Sequence, residues 1–127
     1  MIRSPLLLLA LVAGFATAAE KQQAVPSGFL GEWNSDLKDC GSGLNDSRLR
    51  ISKDRVRFYE SGGPIIAIVT EGEFGLALIS ELSGEGETWL AFHHFRLSAD
   101  HTYITDVNSD PTFVRYRCPK TQPQRPM

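Results

Sequence analysis

The stretch of sequence that decides the fold is LRISKDRVRF, residues 49–58. Apolar and polar residues alternate along both halves of this stretch, and Lys53 and Asp54 separate the two halves. Such alternation is typical of a strand with one buried face, because successive side chains along a strand point to opposite sides. The stretch therefore predicts a β-hairpin whose apolar face lies inward.

The same kind of pattern extends in both directions from this hairpin. Short apolar runs alternate with turn signals such as those at residues 62–64 and 83–86, and no stretch shows helical periodicity. Short strands joined mostly by tight turns predict an all-β fold, namely a small antiparallel up-and-down barrel of about eight strands, with a β-sandwich as the alternative. We expect strands at residues 29–34, 48–52, 55–59, 65–70, 73–82, 87–97, 101–107 and 112–117.

The N-terminal residues have the pattern of a signal peptide. One positive charge at Arg3 precedes an apolar run over residues 6–15, and small residues follow at 16–18. An apolar run this short, ending in small residues, is typical of a processed leader and not of a membrane anchor. We expect residues 1–18 to be a signal peptide cleaved after Ala18 or Ala19. The protein would then be exported, either to the periplasm or out of the cell, with no membrane span.

The remainder of the chain divides into three parts by composition. Residues 19–27 are mostly polar and include Pro26, residues 28–118 carry the strand pattern, and residues 119–127 contain three prolines. We predict a disordered lead-in, one β-barrel domain and a flexible tail for these three parts in turn.

Charge and motifs exclude several classes of function. The chain has 13 basic and 15 acidic residues and a net charge of −2, whereas a general nucleic-acid binder needs a basic surface. Neither a nucleophile-elbow motif nor a glycine-rich phosphate loop after a strand is present. We therefore expect a protein that is not an enzyme, uses no cofactor and binds no nucleic acid.

Cys40 and Cys118 are the only cysteines of the chain. Two cysteines in an exported chain usually pair, and two are too few for a zinc site, so we predict a disulfide between them. In a simple eight-strand meander they would lie toward opposite ends of the barrel. The disulfide then requires that residues 36–39 fold back, that the strand count is odd, or that the barrel is strongly sheared.

Two features resemble the lipocalin (calycin) family of β-barrels. Gly31 and Trp33 form a Gly-x-Trp motif on the first predicted strand, and Arg115 and Arg117 lie on the last one. Residues 97–100 also resemble a turn of small bacterial lipocalin-like domains. The resemblance implies that Trp33 plugs one end of the barrel and that an arginine of the last strand packs across its indole. It also implies an apolar ligand inside the barrel.

The candidate ligand pocket lies on one long predicted strand. His93 shares a face of this strand with Trp89 and Phe95, whereas Phe92 is on the opposite face, so the pocket depends on which face is inward. Because the adjacent His93 and His94 point to opposite sides, they cannot ligate one metal ion, and we expect no metal site. We predict a non-catalytic module that binds a small apolar ligand among Trp89, Phe92, His93 and Phe95.

Four arginines flank the first hairpin: Arg48, Arg50, Arg55 and Arg57. If the apolar face of the hairpin lies inward, all four face outward and form a candidate patch for an anion or a partner. A solvated outer face, balanced by neighbouring acidic residues, is the alternative. The patch supports a second hypothesis, a protein-binding module or an inhibitor of a secreted enzyme that acts through a loop or through this hairpin.

An excess of apolar residues marks the middle of the chain. Both faces of residues 65–69 and 74–82 are apolar, although a barrel wall normally has one face in water. We expect something to cover the outer face here: a partner, a second copy of the chain or the lead-in. The oligomeric state does not follow from the sequence.

Overall fold

The computed structural model describes residues 18–120. The predicted signal peptide, apart from Ala18, and most of the predicted tail therefore lie outside the described residues. The described chain has two single-turn 3-10 helices, Ser27–Phe29 and Leu37–Asp39, and neither is long or apolar enough to cross a bilayer. Its nine strands are β1 (Ala19–Gln22), β2 (Gly31–Asn34), β3 (Leu49–Ile51), β4 (Arg55–Phe58), β5 (Gly62–Glu71), β6 (Gly75–Gly84), β7 (Glu87–Leu97), β8 (Tyr103–Asp106) and β9 (Phe113–Arg117).

Strands β2 to β9 form a closed antiparallel barrel. Each strand pairs with the next along the chain, and β9 returns to pair with β2, where Trp33 lies opposite Arg117. Closure leaves one continuous sheet instead of two packed sheets, so the barrel prediction is confirmed and the β-sandwich alternative is not. The barrel itself has the eight strands that the sequence predicts, and β1 is an additional ninth strand.

The ninth strand shows that the prediction of a disordered lead-in at residues 19–27 is wrong. β1 pairs antiparallel with the C-terminal half of β5, at residues 68–71, where the short β4 does not reach. Gln22 donates a hydrogen bond from Nε2 to Oγ1 of Thr70, and Val25 is 4% exposed. The physical reason is that β5 is longer than β4 and offers unpaired backbone groups, which the lead-in satisfies.

The core fills the inside of the barrel. The end of the barrel that holds Trp33 is called the closed end, and the opposite end is called the open end. Phe29 from the first 3-10 helix and Trp33 lie at this end, and Phe95 lies further along the axis; none of the three is more than 1% exposed. Other fully buried side chains come from several strands: Leu49, Ile51, Leu76, Leu78 and Ile104. These positions alternate with outward-facing ones along each strand, as the sequence pattern predicts.

The disulfide between Cys40 and Cys118 is confirmed, with 5.6 Å between the two Cα atoms. Of the three geometries that could allow it, the chain after β2 folds back. Asp36 caps the second 3-10 helix by accepting a hydrogen bond from the Lys38 N–H, and the Gly41 N–H donates to the Glu32 carboxylate. Cys40 therefore returns to the level of Glu32, whose carbonyl oxygen accepts from the Cys118 N–H.

Candidate functional site

The closed end of the barrel is held by Trp33 and Arg117. The Arg117 guanidinium lies over the indole at 4.2 Å from the ring centroid, and the indole N–H donates to the carbonyl oxygen of Phe29 at 3.0 Å. Arg117 also donates to the carbonyl oxygens of Gly28, Leu30 and His101. Burial lowers the pKa of this guanidinium from its ordinary value. Gly31, the other residue of the motif, has a φ of +128°, a conformation that glycine adopts readily.

Arg115, the second arginine assigned to the plug, lies elsewhere. Its guanidinium is 4.6 Å from the ring centroid of Phe113, and its Nε donates to the carbonyl oxygen of Ser47 at 2.7 Å. Arg115 lies on β9 two positions before Arg117, opposite Ile104 on β8. It is therefore further from the closed end than Arg117. It fastens the loop before β3 to the last strand instead of covering Trp33.

Three of the four candidate pocket residues lie on the inner side of β7. Phe95 is fully buried, and the His93 ring stacks between Phe58 and Phe95 at centroid distances of 4.7 and 5.7 Å. Burial lowers the pKa of His93, an effect that the nearby Asp106 carboxylate opposes and that Arg115 increases. Trp89, near the turn that begins β7, is 40% exposed. The inner face thus carries a packed aromatic stack that leads to the open end.

Phe92, the fourth candidate, faces outside. It lies directly opposite Ile79 on β6 and is 58% exposed. The reason is strand alternation, because Phe92 and the inward His93 are consecutive. Phe92 joins Leu90, Ile79 and Ile66 in an exposed apolar patch on the outer side of β5, β6 and β7. β1 pairs with the edge of β5 and leaves these four side chains exposed.

A surface cleft of about 390 Å³ opens on the outer side of β3, β4 and β5. We call it the arginine cleft. Arg50, Arg55 and Arg57 contribute its cationic groups. Residues 60–63, among them the acidic Glu60, also line it, together with Ser52, Tyr59 and Ser83. A smaller cleft of about 280 Å³ lies beside it, also on the outside, and shares Arg50 and Ser52 with it.

Strand register explains how the arginine cleft is built. Arg50 lies directly opposite Arg57, Arg57 opposite Gly62, and Gly62 opposite Ser83. Because Gly62 has no side chain, the outer surface is recessed at this position. The arginine side chains line one wall of the recess. A Cβ on Gly63 would overlap the Glu81 carbonyl oxygen, so β5 and β6 approach each other closely behind the cleft.

Arg48, the fourth arginine of the predicted patch, is not part of the exposed surface. It is 6% exposed, and its Nε lies 3.5 Å from a carboxylate oxygen of Glu32. Burial lowers the pKa of Arg48, and the Glu32 carboxylate opposes this shift. Arg48 precedes β3, and the Glu32 carboxylate beside it also accepts a hydrogen bond from the Gly41 N–H, so this pair links the start of β3 to the loop that carries Cys40. The exposed arginines of the hairpin are Arg55 and Arg57, with Arg50 half-buried.

Strand alternation in the sequence predicts arginines on this face, but it does not predict the other residues that line the cleft. Ser83 belongs to a strand that is distant in sequence, and Gly62 was interpreted only as a break between strands. The signal that could have identified the cleft is the run of two glycines that follows an arginine-rich strand, because glycines on a strand mark a close backbone approach.

The described residues bring three metal-capable side chains together at Glu32, Cys40 and Cys118. The two sulfur atoms are joined in the disulfide, so they are not available as thiolate ligands. The Asn34 amide donates to the Cys118 sulfur at 3.0 Å, and this contact completes a buried structural cluster.

Comparisons with models of protein families, with curated proteins and with solved structures find no match for this chain. The closed antiparallel barrel of eight strands is compatible with a lipocalin-like fold. Among the described residues, the arginine cleft and the exposed apolar patch are the candidate binding surfaces.

Proposed function

We propose that this chain is an exported, non-catalytic, lipocalin-like binding module that binds an acidic segment of a protein partner in the arginine cleft. The observation that carries the proposal is a cationic cleft on a chain whose net charge is −2. A local concentration of positive charge attracts anionic groups, whereas the acidic groups elsewhere on the molecule repel them. An inhibitor of a secreted enzyme is one form of such a module.

The chemistry of the cleft suits carboxylates. A guanidinium presents several N–H donors in a planar fork that can bind both oxygens of a carboxylate. Among the described residues, no carboxylate oxygen lies within 4 Å of the guanidinium nitrogens of Arg55 or Arg57. Arg50 and Arg57 lie directly opposite each other, and like charges in such a pair destabilise a sheet. An anion bound beside the exposed Arg57 would offset this repulsion.

The packed interior supports an outer binding surface. Core side chains such as Phe29, Trp33 and Phe95 are fully buried, and both clefts described above open on the outside. A partner that binds a rigid outer cleft also orders few side chains on binding, which favours affinity. The disulfide and the leader-like N-terminal sequence support export, because disulfides form and persist in oxidising compartments.

The proposal is tested with an acetylated, amidated hexaglutamate peptide titrated into the isotope-labelled protein. We expect chemical-shift changes at the Gly62 and Gly63 amides and at the Arg57 side-chain N–H groups. Arg57→Gln should weaken binding about tenfold, because it removes a charge-assisted pair. Binding should also weaken as salt is added.

Arg96→Gln is the matched control, because Arg96 is exposed on β7 and does not line the cleft. It should bind the peptide as the wild type does. Equal loss in both variants, or shifts spread over the whole barrel, would show a general charge effect and refute a site in the cleft.

A small ligand at the open end is a second candidate function, and His93 supports it. Its Nδ1 atom is buried and has no hydrogen-bond partner among the described residues. A planar ligand that stacks beside Phe58 and bonds to this nitrogen would satisfy it. Native mass spectrometry of the purified protein tests this candidate, since a co-purified small molecule should be lost in His93→Phe; a wild-type spectrum showing only the bare protein counts against it.

A further inference from the structure

β7 has a neighbouring strand on only one side for most of its length. It pairs with β6 from Glu87 to Arg96, but β8 pairs with it only at residues 95–97. The Val107 N–H donates to the carbonyl oxygen of His94, which is the last backbone hydrogen bond on that side among the described residues. Within the described part of the chain, residues 87–93 therefore form an open sheet edge.

Strand register identifies the backbone groups on this edge. Glu85 and Gly86 form a two-residue turn with φ of 50° and 80°, and Gly84 lies opposite Glu87. In such a hairpin the residues that flank the turn form a hydrogen-bonded pair, and bonded and non-bonded pairs alternate beyond it. The N–H and C=O groups of Thr88, Leu90 and Phe92 consequently point away from β6. The His94 carbonyl bond to Val107 fits the same alternation.

This edge lacks the features that usually protect one. Residues 88–92 are Thr-Trp-Leu-Ala-Phe, with no charge and no proline, and Leu90 and Phe92 are 67% and 58% exposed. The edge strand β1, which pairs with β5, is short and carries Glu20 and Lys21. A long apolar edge is a template for another strand, whereas charges discourage such pairing.

We propose that an extended segment of a partner protein pairs with β7 at residues 88–92, and that this segment combines apolar and basic residues. The backbone of this segment would form hydrogen bonds with the N–H and C=O groups on the open edge of β7. Its alternate side chains would pack on Leu90 and Phe92. The charge argument comes from the hairpin itself, because residues 81–92 contain three glutamates and neither lysine nor arginine. Lysine or arginine beside the apolar residues would complement these carboxylates.

The same charges argue against a second copy of this chain as the occupant. Residues 81–92 of a second copy would bring three glutamates and neither lysine nor arginine to this edge, so they would not complement its carboxylates. The inference goes beyond the proposed function and does not depend on it, since β5 and β6 separate this edge from the arginines of the cleft.

Amide hydrogen exchange tests the proposal with an acetylated, amidated octapeptide of alternating lysine and valine. In the free protein we expect fast exchange at Thr88, Leu90 and Phe92 and slow exchange at Trp89 and Ala91. The peptide should slow the first group at least about tenfold and leave the second unchanged. This period of two is the signature of strand addition and distinguishes it from general surface binding.

Two matched changes isolate the backbone contribution. Leu90→Pro removes an edge N–H, which an edge strand tolerates, whereas Leu90→Thr keeps it. We expect Leu90→Pro to abolish peptide protection and Leu90→Thr to retain it. If Leu90→Pro does not fold, N-methylation of the peptide on its bonding edge replaces it and should also abolish protection.

Three outcomes would overturn the proposal. The first is the absence of peptide protection at Thr88, Leu90 and Phe92. The second is equal protection by an octapeptide of alternating glutamate and valine, which would remove the charge argument. The third is protection that develops without peptide as the protein is concentrated, which would identify a second copy as the occupant.

Discussion

Trp33 connects the sequence motif to the stability of the closed end. Its ring is fully buried, covered by Arg117 and bonded through its N–H to Phe29. Through these contacts the Trp33 side chain links the first 3-10 helix to the first and last strands of the barrel. We therefore expect the indole to contribute more to folding than any partly exposed aromatic residue at the open end.

Trp33→Ala should lower the free energy of unfolding by roughly 3–5 kcal/mol, as for other large-to-small changes in a packed core. Trp89→Ala is the matched control, because Trp89 is 40% exposed, and it should lower the free energy by less than half as much. Urea denaturation followed by circular dichroism measures both. Similar losses in the two variants would contradict the role of Trp33 in closing the barrel.

His93 predicts how stability depends on pH. Burial lowers its pKa in the folded state, so the folded protein resists a proton that the unfolded chain accepts. Above about pH 6.5, the ordinary value for histidine, both states are neutral and this contribution to stability is complete. Stability should therefore fall as the pH decreases below that value, toward the lower pKa of the folded state.

The measurement is the urea midpoint between about pH 7.5 and about pH 5 for the wild type and for His93→Phe. Phenylalanine keeps an aromatic ring between Phe58 and Phe95 but cannot take a proton. The variant should show a shallower fall of the midpoint in this range. Equal slopes in the two proteins would show that other groups cause the pH dependence.

At the scale of elements, β1 is a strand that the alternation of apolar and polar residues could not predict. The barrel strands alternate apolar and polar residues because one face is buried, so the sequence predicted most of them, although the boundaries of the short strands shifted. β1 is an edge strand whose side chains are mostly exposed, and its polar composition resembles that of a disordered segment. Its pairing depends on the length difference between β4 and β5, which only the assembled sheet reveals.

Deletion of residues 19–22 tests this added strand. We expect a loss of roughly 2 kcal/mol in the free energy of unfolding, from a few backbone hydrogen bonds that contribute about 0.5–1.5 kcal/mol each. Hydrogen exchange should also accelerate at residues 68–71 of β5, which face β1. Lys21→Thr keeps the backbone pairing and serves as the control, with exchange as in the wild type. Unchanged exchange in the deletion variant would show that β1 does not protect β5.

The site was less predictable than the fold, for a related reason. Alternation placed the arginines of β3 and β4 on the outer face, but the depth of the arginine cleft depends on Gly62 and on Ser83. Alternation also could not decide between the two faces of β7, so Phe92 entered the candidate pocket although it faces outside. Arg48 differs again, because it is buried beside the Glu32 carboxylate, whereas strand alternation places it on the outer face.

At the scale of the whole molecule, the disulfide constrains most of the chain. Cys40 and Cys118 are 78 residues apart, and the loop that they close contains seven of the nine strands. Closing a loop of this length restricts the unfolded chain and stabilises the folded one by roughly 4 kcal/mol in the chain-entropy model. The barrel without this bond should therefore be close to the limit of stability for a small domain.

The double variant Cys40→Ala with Cys118→Ala should lose roughly 4 kcal/mol of unfolding free energy and keep the same barrel. Intact mass under non-reducing conditions should show the wild type two hydrogens lighter than its reduced form. Urea denaturation measures the loss, and the amide spectrum of the folded variant checks the barrel. A loss below about 1 kcal/mol would mean that the crosslink restricts the unfolded chain little.

The covalent ring has a consequence for proteolysis. A protease that cuts once in any loop between Cys40 and Cys118 leaves two fragments joined by the disulfide, so both halves of the barrel and the arginine cleft stay on one molecule. Only reduction would separate them on a gel. A cut between β1 and β2 lies outside the ring and would release the segment that carries β1. Among the described strands, β1 is thus the one that this protein can shed while its barrel remains closed.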